Sequence, residues 1–159
     1  MSQKCFIADG RLFQALVTRS NARPYGDFHT LFKQGEFPKG LYIIHDGEAS
    51  LLMLSHTERI IASFRAGPGS VLGLPAVVGL LPYTLSAIVR KGSMVGFIAL
   101  EVFNDLLREE RSLYPSVLSL LAAEVRAARS TIAGAGGESY SAHSSLAEHT
   151  FFVAPLANA

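Results

Sequence analysis

Few residues in this 159-residue sequence could do chemistry, and most of them stand alone. Cys5 is the only cysteine, and a lone thiol can neither close an internal disulfide nor by itself ligate an iron–sulfur cluster. His29, His45 and His56 lie far apart, and no His-x-His occurs to put two imidazoles on one face of a strand. His143 and His149 fall in a polar tail. No Gly-x-Ser-x-Gly elbow is present, and Gly69-Ser70 and Gly92-Ser93 read as turns. Asp46-Gly47-Glu48 brings two carboxylates together, but on what reads as an exposed hairpin. No catalytic residue, metal ligand or cofactor is assigned, and the chain is not expected to be an enzyme.

Composition supports a folded domain. Hydrophobic residues make up 49% and charged residues 17%, enough to bury a core. The formal net charge is +1, with Lys and Arg scattered, so no basic face is set up for a polyanion. The N-terminus has no apolar signal core, and the single cysteine suits the cytoplasm. Ala66 to Val89 is uncharged and apolar enough to suggest a membrane span. Pro68, Pro75 and Pro82 exclude it, because each interior proline costs a helix about 3 kcal/mol.

The elements follow from periodicity. Leu12, Phe13, Leu16 and Val17 make a helical stripe after a capping Asp9. Asn21 to Asp27 reads as a break, since Pro24 and Gly26 favour turns. Short strands then recur: Leu31-Phe32, Leu41–His45, Ala49–Leu54, Arg59–Phe64, Thr84–Val89 and Met94–Ile98. Asp46-Gly47 predicts a type I′ hairpin between the second and third of these. Ala99 to Glu110 is an amphipathic helix, and Pro115 opens a longer one. Along the latter, Leu118, Leu121, Val125, Ala128 and Ile132 recur at spacings of 3 and 4, the seam of a coiled coil. The opposite face is rich in Arg, Glu and Ser, as solvent requires. A helix lying on its own β-domain would show much the same stripe.

Particular residues carry a family resemblance. Leu31-Phe32-Lys33-Gln34-Gly35-Glu36, then Gly40 to Ala49, then Gly67-Pro68-Gly69-Ser70-Val71-Leu72-Gly73 resemble, in order and spacing, the sensor domain of Crp/Fnr-type bacterial regulators. The likeness implies a mainly β fold with flanking helices: an antiparallel double-stranded β-helix, or jelly roll, followed by a long dimerisation helix. The implied division is a cyclic-nucleotide-binding-like β-roll over residues 9–112, the helix over 113–133 and a flexible tail over 134–159.

In that family a glutamate after the cassette glycine takes the ribose and an arginine before Ser/Thr-Ala neutralises the cyclic phosphate. The corresponding positions, implied by the resemblance, are Gly73, Leu74, Pro75, Ala76, Tyr83, Thr84, Leu85, Ser86 and Ala87. Leu74 stands in the glutamate's place, and either Leu85 or Thr84 stands in the arginine's. Losing a charge-assisted contact costs about 1.5–3 kcal/mol, so the cassette reads as degenerate. The expected protein is a cytoplasmic homodimeric sensory module whose small-molecule effector is unidentified, associated with no membrane. A DNA-reading domain needs about 60 residues, more than follow Ile132, and no direct DNA binding is expected from this chain. The alternative is a non-sensing dimerisation protein whose pocket is filled by Leu74, Val77, Val78, Leu80 and Leu81. A metal cupin enzyme, which needs converging histidines, ranks below both.

Overall fold

The computed structural model describes residues 6–135. Helix α1 (Gly10–Thr18) leads into eight strands: β1 (Asn21–Pro24), β2 (His29–Phe32), β3 (Gly40–Asp46), β4 (Ala49–Leu54), β5 (Ile60–Ala66), β6 (Val71–Leu72), β7 (Ser86–Val89) and β8 (Met94–Ala99). Helix α2 (Leu74–Gly79) lies between β6 and β7. Helix α3 (Leu100–Glu109), a 3₁₀ turn (Arg111–Leu113) and helix α4 (Tyr114–Ala135) follow. Asp9 caps α1 as expected: its carboxylate accepts from the Leu12 amide at 2.9 Å, which holds its pKa below the usual value.

The strands form two antiparallel sheets, ordered β1-β8-β3-β6 and β2-β7-β4-β5. Consecutive strands cross from one sheet to the other at most turns, so the chain winds as a double-stranded β-helix, the expected fold. This winding corrects the Asp46-Gly47 hairpin. β3 and β4 belong to different sheets and do not pair; the turn is a corner between them. A type I′ turn needs two positive φ angles, and here Gly47 has one (+88°) while Asp46 does not. Glycine is required at Gly47, because a Cβ there would meet Ser93 Oγ at 2.2 Å. The hairpin within one sheet is instead β4–β5, turned through Ser55–Arg59.

The Asn21–Asp27 break is also corrected in part, since Asn21–Pro24 pairs with β8. Its residues are all exposed, and an edge strand tolerates a proline that a central one would not. Alternation along β3 explains why the domain has two cores. Ile44 faces Phe32, Leu51, Phe64 and Leu72 between the sheets. Leu41 and Ile43 point outward, beneath Leu12, Leu16, Phe103, Leu106, Val117 and Leu120 of the helices. The second core seats α4 on the roll, and α4 in turn reaches the cassette.

Candidate functional site

The cassette begins where β6 ends. Gly73 adopts φ +87° to turn the chain into α2, and a Cβ on it would lie 2.8 Å from Tyr83 Cε1. Tyr83 is fixed from three sides. Its ring stacks on Phe32 at 3.9 Å between centroids, and its hydroxyl donates to the Gly40 carbonyl at 2.6 Å. Its backbone is tied to the turn before β3, with the Gly35 amide donating to the Tyr83 carbonyl at 2.8 Å and the Tyr83 amide to Glu36 O at 2.9 Å. The Leu31–Glu36 motif thus braces the cassette. Burial pushes the Tyr83 phenol up to about 12. We expect Gly73→Ala to lower stability by about 1–3 kcal/mol, the cost of holding a Cβ-bearing residue at positive φ; a urea midpoint equal to wild type would contradict this.

A cavity of about 20 Å³ lies under the cassette, between Phe6, Phe32, Leu51 and Leu72 on the roll side and Gly73, Pro75, Ala76, Tyr83, Thr84 and Leu85 on the other. Six of the nine expected positions line it. The other three do not: Leu74 is fully buried in the helix-side core, Ala87 packs between the sheets, and the Ser86 hydroxyl accepts from the Gln34 amide. Leu74 turns away because it starts α2, and a helix sends successive side chains to different faces. The pocket filling expected of Leu74, Val77, Val78, Leu80 and Leu81 is likewise corrected. Leu74 and Val77 join the helix-side core, while Val78, Leu80 and Leu81 are exposed. Phe32 and Tyr83, stacked on each other, stand in the cavity wall.

Among the described residues no arginine or lysine lines the cavity. Arg90, the nearest cation in sequence after the cassette, bonds Glu48 at 3.2 Å, with Arg65 4.0 Å from the same carboxylate. The charged lining residue is Glu124, from the middle of α4. Its Oε1 is shut off from solvent and has no hydrogen-bond partner. Burial alone pushes its carboxyl up to about 8. The Arg, Glu and Ser of this helix are expected in solvent, and Glu124, its one glutamate, corrects that. The signal that could have found it is its register with Val117 and Leu120, which both face the roll.

Helix α4 therefore carries two stripes. Val117, Leu120 and Glu124 face the domain, and Ala127 packs against the core between the sheets. Of the expected seam, Leu118 and Val125 are exposed, at 63% and 43%, and Leu121 is half-buried against the core. Ala128 is a correction, since it is buried, at 8% exposure, within the single chain. A straight α-helix drifts about 20° per heptad, which rolls the later seam positions off the starting face. The Ile132 side chain, Cys5, His143, His149 and the tail from residue 136 lie outside the described residues.

A protein-family model described as "Cyclic nucleotide-binding domain" matches residues 22–110. The chain belongs to the cyclic nucleotide-binding domain family. Solved structures agree on the fold. The Thermus thermophilus catabolite activator protein is 22% identical with a TM-score of 0.63, over 77% of this chain and 57% of its own. The Xanthomonas campestris regulator CLP, described as c-di-GMP responsive, is 18% identical with a TM-score of 0.63, over 79% of this chain and 61% of its own. The sensor domain of the Pseudomonas aeruginosa regulator DNR is 16% identical with a TM-score of 0.58, over 70% and 75%. The chain thus spans less than two thirds of the lengths of the first two of these regulators. No curated protein shows a significant sequence match to it. Among the described residues no three His, Cys, Asp or Glu side chains converge on a metal position, and no helix is long and apolar enough to cross a membrane.

Proposed function

We propose that this chain is a dimeric, non-catalytic sensor module of Crp/Fnr type whose cassette has lost cyclic-nucleotide recognition. The observation that carries this reading is the lining of the cavity: among the described residues it holds a carboxyl and no guanidinium. A cyclic phosphate entering it would meet Glu124 and the uncharged Thr84 and Leu85. An anion moved from water into such a lining loses its solvation without gaining a counter-charge. Size points the same way, since small-molecule sites commonly measure about 300–1,000 Å³ against the cavity's 20 Å³. A cytoplasmic location accords with the single cysteine.

Cyclic AMP and cyclic GMP are expected to leave the thermal unfolding curve unmoved. A ligand present at a hundred times its Kd stabilises by about 2.7 kcal/mol, so a saturable upward shift with either nucleotide would end this reading.

Dimerisation rests on the free stripe of α4, where Leu118 and Val125 stand exposed beside a half-buried Leu121. Wild-type protein should scatter light as a dimer. Leu118→Glu and Val125→Glu should each weaken the dimer by about ten-fold or more, because a buried unpaired charge costs well over 1.4 kcal/mol. A monomeric wild type would remove the seam.

The second reading, an interaction protein without an effector, is favoured by the stacked Phe32 and Tyr83 rings, which narrow the cavity they line to about 20 Å³. Native mass spectrometry of the purified protein separates the two: a bound small molecule supports the sensor, and a bare dimer the interaction protein.

A further inference from the structure

We propose that the cassette cavity takes the ammonium head of a small primary alkylamine, with Glu124 as its counter-charge. The inference rests on the sensor reading and names the chemical class of its ligand.

Three observations converge on it. The first is an isolated acid: among the described residues Glu124 Oε1 is buried without a partner, and no cationic side chain of theirs shares the lining. His45 Nε2 and Ser70 Oγ are also buried and unpartnered, but neither lines the cavity. Burial without compensation pushes the Glu124 carboxyl up to about 8, which is how a carboxylate behaves when its partner is missing. The second is the aromatic wall. Phe6, Phe32 and Tyr83 line the same space, and the negative face of an aromatic ring attracts an ammonium group. The third is size and access. A water needs about 10–15 Å³ of such space, and the cavity's 20 Å³ suits one group of that size. An –NH₃⁺ head is comparable. Thr84 is exposed and Pro75 and Leu85 are partly exposed, so the lining reaches the surface there and an alkyl body can lie along it.

A neutral donor such as an alcohol would satisfy one lone pair of the carboxyl but leave its charge uncompensated once ionised. An ammonium does both, through a charge-assisted bond about twice as strong as a neutral one.

The test compares three probes of one shape, butylammonium, 1-butanol and butyrate, titrated into the full chain and followed by the amide resonances of Gly73 and Thr84. Butylammonium should bind saturably and tightest, butanol weakly, and butyrate not at all. Glu124→Gln keeps the shape and removes the charge. It should weaken butylammonium by about ten-fold, the equivalent of 1.4 kcal/mol, and leave butanol unchanged. Because the substitution removes a buried unpaired acid, the variant is expected to fold. Butylammonium binding no tighter than butanol, or binding unaffected in Glu124→Gln, overturns the proposal. Cyclic AMP is titrated in parallel to keep the two readings apart. Saturable cyclic AMP binding overturns the sensor reading and this inference together, whereas silence from both cyclic AMP and butylammonium overturns this inference alone.

Discussion

Glu124→Leu will stabilise the protein at neutral and alkaline pH, by an amount that shrinks as the solution is acidified. The Glu124 carboxyl has a folded-state pKa near 8 against 4.5 for the free group, and its cause is burial without a partner. The folded chain therefore keeps a proton that the unfolded chain releases. Stability is then unaffected below about pH 4.5, falls as pH rises from there to about 8, and levels off beyond. At 1.36 kcal/mol per pH unit, the penalty in the wild type is about 3 kcal/mol at pH 7. Leucine removes it. For a domain of this size that corresponds to a rise in Tm on the order of 5–10 °C. Glu124→Gln should gain less, because an amide buried without a partner still costs about 1–3 kcal/mol. Urea unfolding at pH 4.5, 7 and 8.5 checks the sign. A wild-type-to-leucine difference that does not change with pH would show that Glu124 does not hold its proton in the folded state.

Tyr83→Ala is expected to be the most damaging single change at the cassette, at about 3–5 kcal/mol, the usual cost of deleting a buried aromatic ring. Tyr83 is 5% exposed, stacks on Phe32 and ties β3 to the cassette through Gly40. Tyr83→Phe keeps the stack and removes the hydroxyl, leaving the Gly40 carbonyl short of a donor, and should cost about 1–2 kcal/mol. The ratio between the two variants measures how much of the cassette's placement is owed to packing and how much to that bond. If both are equally mild, the ring does not hold the cassette in place, and the interaction-protein reading loses its main support. Unfolding midpoints in urea, with unchanged m-values, are the readout.

Much of the fold was legible because its causes are local. Alternation in Ala49–Leu54 reappears as buried Ala49, Leu51 and Met53 between half-exposed neighbours. Asp9 caps α1, and Phe103, Leu106 and Leu107 form the buried stripe of α3. The motif at Leu31–Glu36 pointed to the family, and its role in bracing Tyr83 emerged only from the backbone bonds of Gly35 and Glu36. Short Asn21–Pro24 and Val71–Leu72 gave too few residues for a period and are strands only because β8 and β3 pair with them.

The sequence by itself determined that the cassette is an uncharged Gly73–Ala87 stretch with no arginine, because charge is a property of residue type and needs no neighbour to define it. It also determined that α4 is long and amphipathic. Only the tertiary structure decided which stripe of α4 meets the roll, since two stripes of the same period lie side by side on one helix. The packing of Val117 and Leu120 against the helix-side core settles it, and that choice swings Glu124 into the cavity and leaves Leu118 and Val125 outside. The same holds for Asp46-Gly47, whose residues suit a hairpin but whose strands bury their apolar faces in two different sheets. A site built from α2, β2 and α4 takes its charge from a residue remote in the chain, where side-chain types fix what can bind and only packing fixes what is near.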